Sequence, residues 1–141
     1  MKIKQLSVFL ENKTGRINDM VDVLSTYGIN MSAFSLAESA EFGIMRIIVA
    51  DCAKATQVLR DNNFMVTITD VVCMKIADTP GSMASILKYL TAKDIFIEYM
   101  YAFSQGNSAY VVIRPTDLDG CMDILKENSC TLLSSEELNS L

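Results

Sequence analysis

Two stretches decide how this chain is read: NKTGRINDMVDVLSTYGIN at residues 12–30 and DTPGSMASILKYLTAKDIF at residues 78–96. Each runs from a polar, glycine-bearing turn, through apolar residues at helical spacing, into the start of a strand-like run. Gly15 and Gly81 stand 66 positions apart. The same interval holds without gaps for Leu24 and Leu90, Ile29 and Ile95, Ile47 and Ile113, Asp51 and Asp117, Leu59 and Leu125, and Asn62 and Asn128. Landmarks of matching type that keep step over a whole repeat length point to one unit used twice.

Within each copy the hydrophobic period changes in the same order. In the first, residues 3–10 read as strand, and Ile17, Met20, Val21, Leu24 and Tyr27 form one helical stripe from Arg16 to a Gly28 cap. Two strands follow, at 30–38 and 43–50, joined by a turn at Ala40 to Gly43. Asp51 is placed to cap a second helix, and FMVTIT closes the unit. The second copy runs through VVCMKI, a helix carrying Met83, Ile86, Leu87 and Leu90, the strands IFIEYMYAF and AYVVIR, a helix capped by Thr116 with Asp119 as its capping-box partner, and a short strand near CTLLS.

The expected fold is therefore α+β: a ferredoxin-like βαββαβ unit repeated twice, each with an antiparallel sheet and its helices on one face, as residues 1–69 and 70–141. VTITDVVCMK, between the copies, contains neither Gly nor Pro, so no flexible linker is expected. In IFIEYMYAF, strict alternation puts Ile95, Ile97, Tyr99, Tyr101 and Phe103 on one face and Phe96, Met100 and Ala102 on the other. Both faces are apolar and helices cover only one, so the open face is expected to lie against another subunit in a homodimer.

The 141 residues are half hydrophobic and carry a net charge of −5. The acidic balance, with a pI near 4.6, repels a phosphate backbone, so nucleic acid is not an expected partner even though Tyr99, Tyr101 and Phe103 could stack bases. No stretch has the length of a membrane span and none resembles a secretory signal, which predicts a cytoplasmic protein without membrane partners. Cys52, Cys73, Cys121 and Cys130 are widely spaced with no CxxC pair, so free thiols are expected and no metal site. The absence of histidine removes the usual general base at neutral pH, and GxGxxG, GxxxxGK[ST], HExxH and GxSxG are all missing. No catalytic residues and no cofactor are assigned.

The pattern of strand, Asn/Asp-x-Pro-Gly turn, helix and Gly-Ile-Asn-Ile strand entry resembles the ACT domain. Copy one carries it as NKTGRI and YGINM, copy two as DTPGSM and KDIFI. The chain is similar to stand-alone tandem ACT proteins, regulatory modules that bind an amino acid or similar metabolite. It departs from the pattern at Thr14, which stands for the usual proline, at Asp94 for Gly and at Phe96 for Asn, so the two halves are not expected to be equivalent sites.

A strand-to-helix turn leaves helix N–H groups unpaired at the positive end of the helix dipole, which suits a carboxylate. The resemblance implies a ligand at the junction of two units, contacted by the turn of one and the strand entry of the other. Carried over by residue, one site joins Asp78, Thr79, Gly81, Ser82 and Met83 to Asn30 and Met31. The second joins Asn12, Gly15, Arg16 and Ile17 to Phe96, Ile97 and Glu98. The first is favoured because it keeps the Asn and offers carboxylate, hydroxyl and helix-start donors together. Asp78 or Glu98 would take the ammonium of a free amino acid and Arg16 would hold an anion. Asn30→Ala and Gly81→Val are expected to weaken binding with the fold largely intact.

The same residues also serve as ordinary caps and turns, which leaves a rival reading: a non-catalytic oligomerisation or protein-interaction module without a ligand. On the favoured reading the chain is an allosteric sensor that binds a free amino acid and acts on a regulated enzyme or within its own homodimer.

Overall fold

Alternation of side chains fixes the first strand, β1 (Ile3–Glu11): Leu6, Val8 and Leu10 turn to one side, Gln5 and Ser7 to the other, and all five are buried. The computed structural model describes residues 1–39 and 41–141. After β1 the order is α1 (Arg16–Thr26), β2 (Ala33–Glu38), β3 (Phe42–Ile48), α2 (Cys52–Asp61), β4 (Met65–Ala77), α3 (Ser82–Thr91), β5 (Ile97–Gln105), β6 (Ser108–Pro115), α4 (Leu118–Glu127), β7 (Thr131–Leu132) and α5 (Ser135–Asn139). This is the βαββαβ order twice, followed by a short helix that the polar tail had not suggested.

The chain divides into two compact units. Lys4–Thr69 with Asn139–Leu141 forms one, here the first-repeat unit, and Asp70–Leu138 with Met1–Ile3 forms the second-repeat unit. In the first-repeat unit the strand order is β4-β1-β3-β2, and in the second-repeat unit β7-β4-β6-β5; β1 with β3, β2 with β3, β4 with β6 and β7, and β5 with β6 all pair antiparallel. β4 is one strand of 13 residues, divided between the units after Thr69.

The 66-residue interval reappears in the packing. Leu6, Val8, Met20, Leu24, Met45, Ile47, Ala55, Leu59 and Val66 make the first core. Val72, Met74, Ile86, Leu90, Val111, Ile113, Cys121, Leu125 and Leu132 make the second, each at the matching position. Each cluster takes residues from its strands and from both helices, so both helices lie on one face of each sheet.

Helix ends also repeat. Gly28, Asn63, Asp94 and Ser129 take φ of 68, 66, 55 and 59°. The residue after each donates its N–H five positions back: Ile29 to Leu24, Phe64 to Leu59, Ile95 to Leu90, Cys130 to Leu125. This is the Schellman termination, whose left-handed residue is easiest for glycine. Starts differ within each copy. Asp51 and Asp117 cap α2 and α4 by accepting from the N–H groups of Lys54 and Gly120, each at 3.0 Å. Gly15 and Gly81, at φ 93 and 88°, precede α1 and α3, which have no side-chain cap.

Several sequence expectations are corrected. The α4 cap is Asp117, as the repeat interval with Asp51 implied, and Thr116 Oγ1 instead accepts from the Phe96 N–H at 3.3 Å. β2 starts at Ala33, three residues later than expected. Of the expected turn at Ala40 to Gly43, Ala40 lies outside the described residues, and Ser39 bonds with Phe42. The strict alternation expected along IFIEYMYAF fails at an irregularity between Ile97 and Tyr99. Ile95 and Ile97 pack on the core, whereas Met100 and Ala102, opposite Ile113 and Val111, also face the helix side. Tyr101 and Phe103 face away from the helices, opposite Val112 and Tyr110, and the rings of Phe103 and Tyr110 stack 5.3 Å apart. Cys73 and Val112, on that face, are already fully buried within the single chain.

Candidate functional site

In each unit the turn after the first strand, the start of the uncapped helix and the edge strand enclose a cavity. The second-repeat cavity, about 440 Å³, has Ile76, Met100, Ala102, Ala109 and Val111 as its floor on the helix face of the sheet. Asp78, Thr79, Ser82 and Met83 form its wall, and Ser104 stands at the far end of β5. Thr79 and Ser82 hydroxyls lie 2.9 Å apart and the Ser82 N–H donates to the Thr79 carbonyl at 3.3 Å. The next amides, of Met83 and Ala84, fall in the first helical turn, where no carbonyl four residues earlier is in helical position to accept. A cavity of this size with an apolar floor and a few convergent polar groups is the ordinary form of a small-molecule site.

The first-repeat cavity, about 470 Å³, occupies the equivalent place, lined by Leu10, Asn12, Thr14, Ile17, Leu36, Ala37 and Gly43. Its chemistry differs. Glu11, Lys13 and Glu38 bring three charges to it, and Lys13 Nζ lies 2.8 Å from Glu11, holding that carboxyl below its ordinary range by a hydrogen bond and by charge. Asn12 Nδ2 donates to the Ser39 carbonyl at 3.4 Å.

Of the residues singled out in the sequence, Asp78, Thr79, Ser82 and Met83 thus line one cavity, and Asn12 and Ile17 line the other, with Gly81 and Gly15 at the helix starts. Arg16 is turned away from the cavity, with its guanidinium 4.4 Å from the Phe64 ring centre and 3.5 Å from Asp19. Asn30 is exposed at the opposite end of α1, in a smaller depression of about 270 Å³ with Asp51, Lys54 and Asn139. There Lys54 Nζ donates to the Tyr27 carbonyl and Ser32 bonds Asn139. Met31 packs on the first core and Ile97 on the second. Glu98 pairs with Arg114 at 3.6 Å, Phe96 is exposed, and none of Phe96, Ile97 and Glu98 lines the second-repeat cavity. Met100, Ala102, Ser104, Ala109 and Val111 had not been singled out as site residues. They read as plain strand in the sequence, and only the irregularity after Ile97 turns Met100 and Ala102 to the helix side. A Cβ at Gly81 would meet nothing within 4 Å, but its φ of +88° is strained for valine, so Gly81→Val costs stability as well as closing the turn.

Among the described residues no group of three or more Cys, Asp or Glu side chains could hold a metal, and no helix is long and apolar enough to cross a membrane. The ACT domain pair pattern matches residues 1–141, the whole chain. The chain belongs to the ACT domain pair family. This ACT pair is 49% identical to protein BT0572 from Bacteroides thetaiotaomicron, whose crystal structure superposes with a TM-score of 0.95 over 100% of this chain and 98% of that one. The regulatory subunit of aspartate kinase from Thermus thermophilus, in ligand-free form, matches with TM-score 0.65 and 13% identity, over 88% of this chain and 90% of that one. The corresponding subunit from Thermus flavus matches at 0.63 and 13%, with the same coverage. At that identity these two ACT structures share the fold. No curated protein matches this ACT pair.

Proposed function

We propose that this ACT pair is a non-catalytic sensor that binds a free amino acid in the second-repeat cavity, with the ligand carboxylate at the start of α3 and its ammonium at Asp78. One contrast carries the reading. The two helices that begin at cavities, α1 and α3, have no side-chain cap, whereas α2 and α4 are closed by Asp51 and Asp117. Donors left open beside a cavity, at the positive end of a helix, suit an incoming carboxylate. Thr79 and Ser82 add hydroxyls that donate to the same group. Family membership and the likeness to regulatory subunits of an amino-acid kinase support a regulatory role over a catalytic one.

The test is a thermal-shift screen of the full chain against the twenty amino acids, followed by Asp78→Asn. One amino acid, or a narrow set, is expected to raise the melting temperature, by the equivalent of about 2.7 kcal/mol at a hundredfold excess over Kd. Asp78→Asn should reduce that shift and leave the ligand-free melting temperature in place. A flat response across all twenty would favour the interaction-module reading.

The same reading has the chain act in the cytoplasm, as a homodimer or on a regulated enzyme. The apolar side chains Phe34 and Leu36, 58% and 52% exposed on the edge strand β2, support association.

A further inference from the structure

The two cavities occupy equivalent places but are not chemical twins, and the differences fall on the part of a ligand that lies over the sheet. Where the second-repeat cavity has Ala102, the first has Leu36. Ser104 is replaced by Glu38, and Thr79 by Lys13. Ala102 leaves the floor open between Met83, Met100 and Val111, all of them apolar and two of them flexible thioethers that adapt to a ligand's shape. In the first-repeat cavity the bulkier Leu36 side chain lines the equivalent position and comes within 3.4 Å of where a Cβ on Gly43 would stand. Glu11 and Glu38 add negative charge where a carboxylate would enter, and Lys13 is already paired with Glu11.

Resting on the reading above, we infer that the chain binds one ligand, in the second-repeat cavity only, and that this ligand is an amino acid with an uncharged aliphatic or thioether side chain. Among the described residues Asp78 is the sole charged one lining the cavity. It is used by the ammonium, so a cationic side chain finds no second carboxylate and an anionic one no cation. The floor rewards length: each added methylene buried there is worth about a fourfold gain in affinity.

Calorimetric titration of the full chain with alanine, 2-aminobutyrate, norvaline, leucine, methionine, lysine and glutamate tests this. Expected are one ligand per chain, affinity rising by roughly fourfold per methylene from alanine to norvaline, and no measurable binding of lysine or glutamate. Ala102→Leu and Ser104→Glu import the first-repeat residues at exposed positions that either side chain tolerates. Each should weaken methionine or leucine binding at least tenfold with the circular dichroism spectrum unchanged. Preferred binding of lysine or glutamate, two ligands per chain, or affinity untouched by both variants would overturn the inference while leaving an amino-acid sensor standing. Failure of every amino acid to bind would overturn both.

Discussion

Asp94 holds φ 55°, the post that Gly28 holds at 68° in the first repeat. The Schellman bond behind it, from Ile95 to Leu90 at 3.1 Å, matches the bond from Ile29 to Leu24 at 2.8 Å. The motif therefore forms whichever residue is supplied, and the side chain bears the cost of the left-handed backbone. Asp94→Gly is expected to stabilise the chain by about 1 kcal/mol, read as a higher urea midpoint with unchanged slope. This residue also shows what the sequence made legible. Asp94 stood out as a departure from a glycine pattern, and its backbone nonetheless matches that of Gly28 one repeat interval earlier. Met100 and Ala102 could not be found the same way, because a one-residue irregularity in β5 reverses which side of the sheet they face, and no residue type in IFIEYMYAF marks the place.

At the level of elements, the four main helices were readable from stripe and punctuation because apolar period and left-handed termini coincide in both copies. Their starts were read less well. Thr116 and Asp117 are both competent caps, and the choice between them depends on backbone angles: Asp117 adopts the extended conformation, with φ −123° and ψ 95°. Asp117→Ala should cost about 1 kcal/mol, and Asp51→Ala a similar amount. Gly120→Ala gives a sharper check, since the new Cβ would overlap the Asp117 carboxylate. The methyl adds about 1 kcal/mol of helix propensity while displacing the cap, so the two effects should nearly cancel in chemical denaturation. In an Asp117→Ala background the same change should be clearly stabilising.

For the whole molecule, the duplication was legible because two cores must be filled, and each core selects apolar residues at the same positions. The cavities were half legible: turns and helix starts carry a signature, but a floor of ordinary strand residues does not. Buried thiols on both faces of the second-repeat sheet also set a pH response. Burial pushes the Cys73 thiol up to about 12 and the Cys121 thiol up to about 11, from an ordinary 9.0. The unfolded chain releases those protons above pH 9 while the folded chain keeps them, so stability is fully present below about pH 9 and falls as pH rises toward 11 to 12. Urea midpoints at pH 8 and pH 10.5 should show that fall, and it should be smaller in Cys73→Ala.

The ends of the chain have changed places. Met1–Ile3 belong with the unit built from Asp70–Leu138, where Ile3 is fully buried and Lys2 pairs with Asp119 at 3.1 Å. Asn139–Leu141 belong with the unit built from the first repeat, where Asn139 meets Ser32. A gene cut back to either ancestral half would therefore encode a body missing its own fastening.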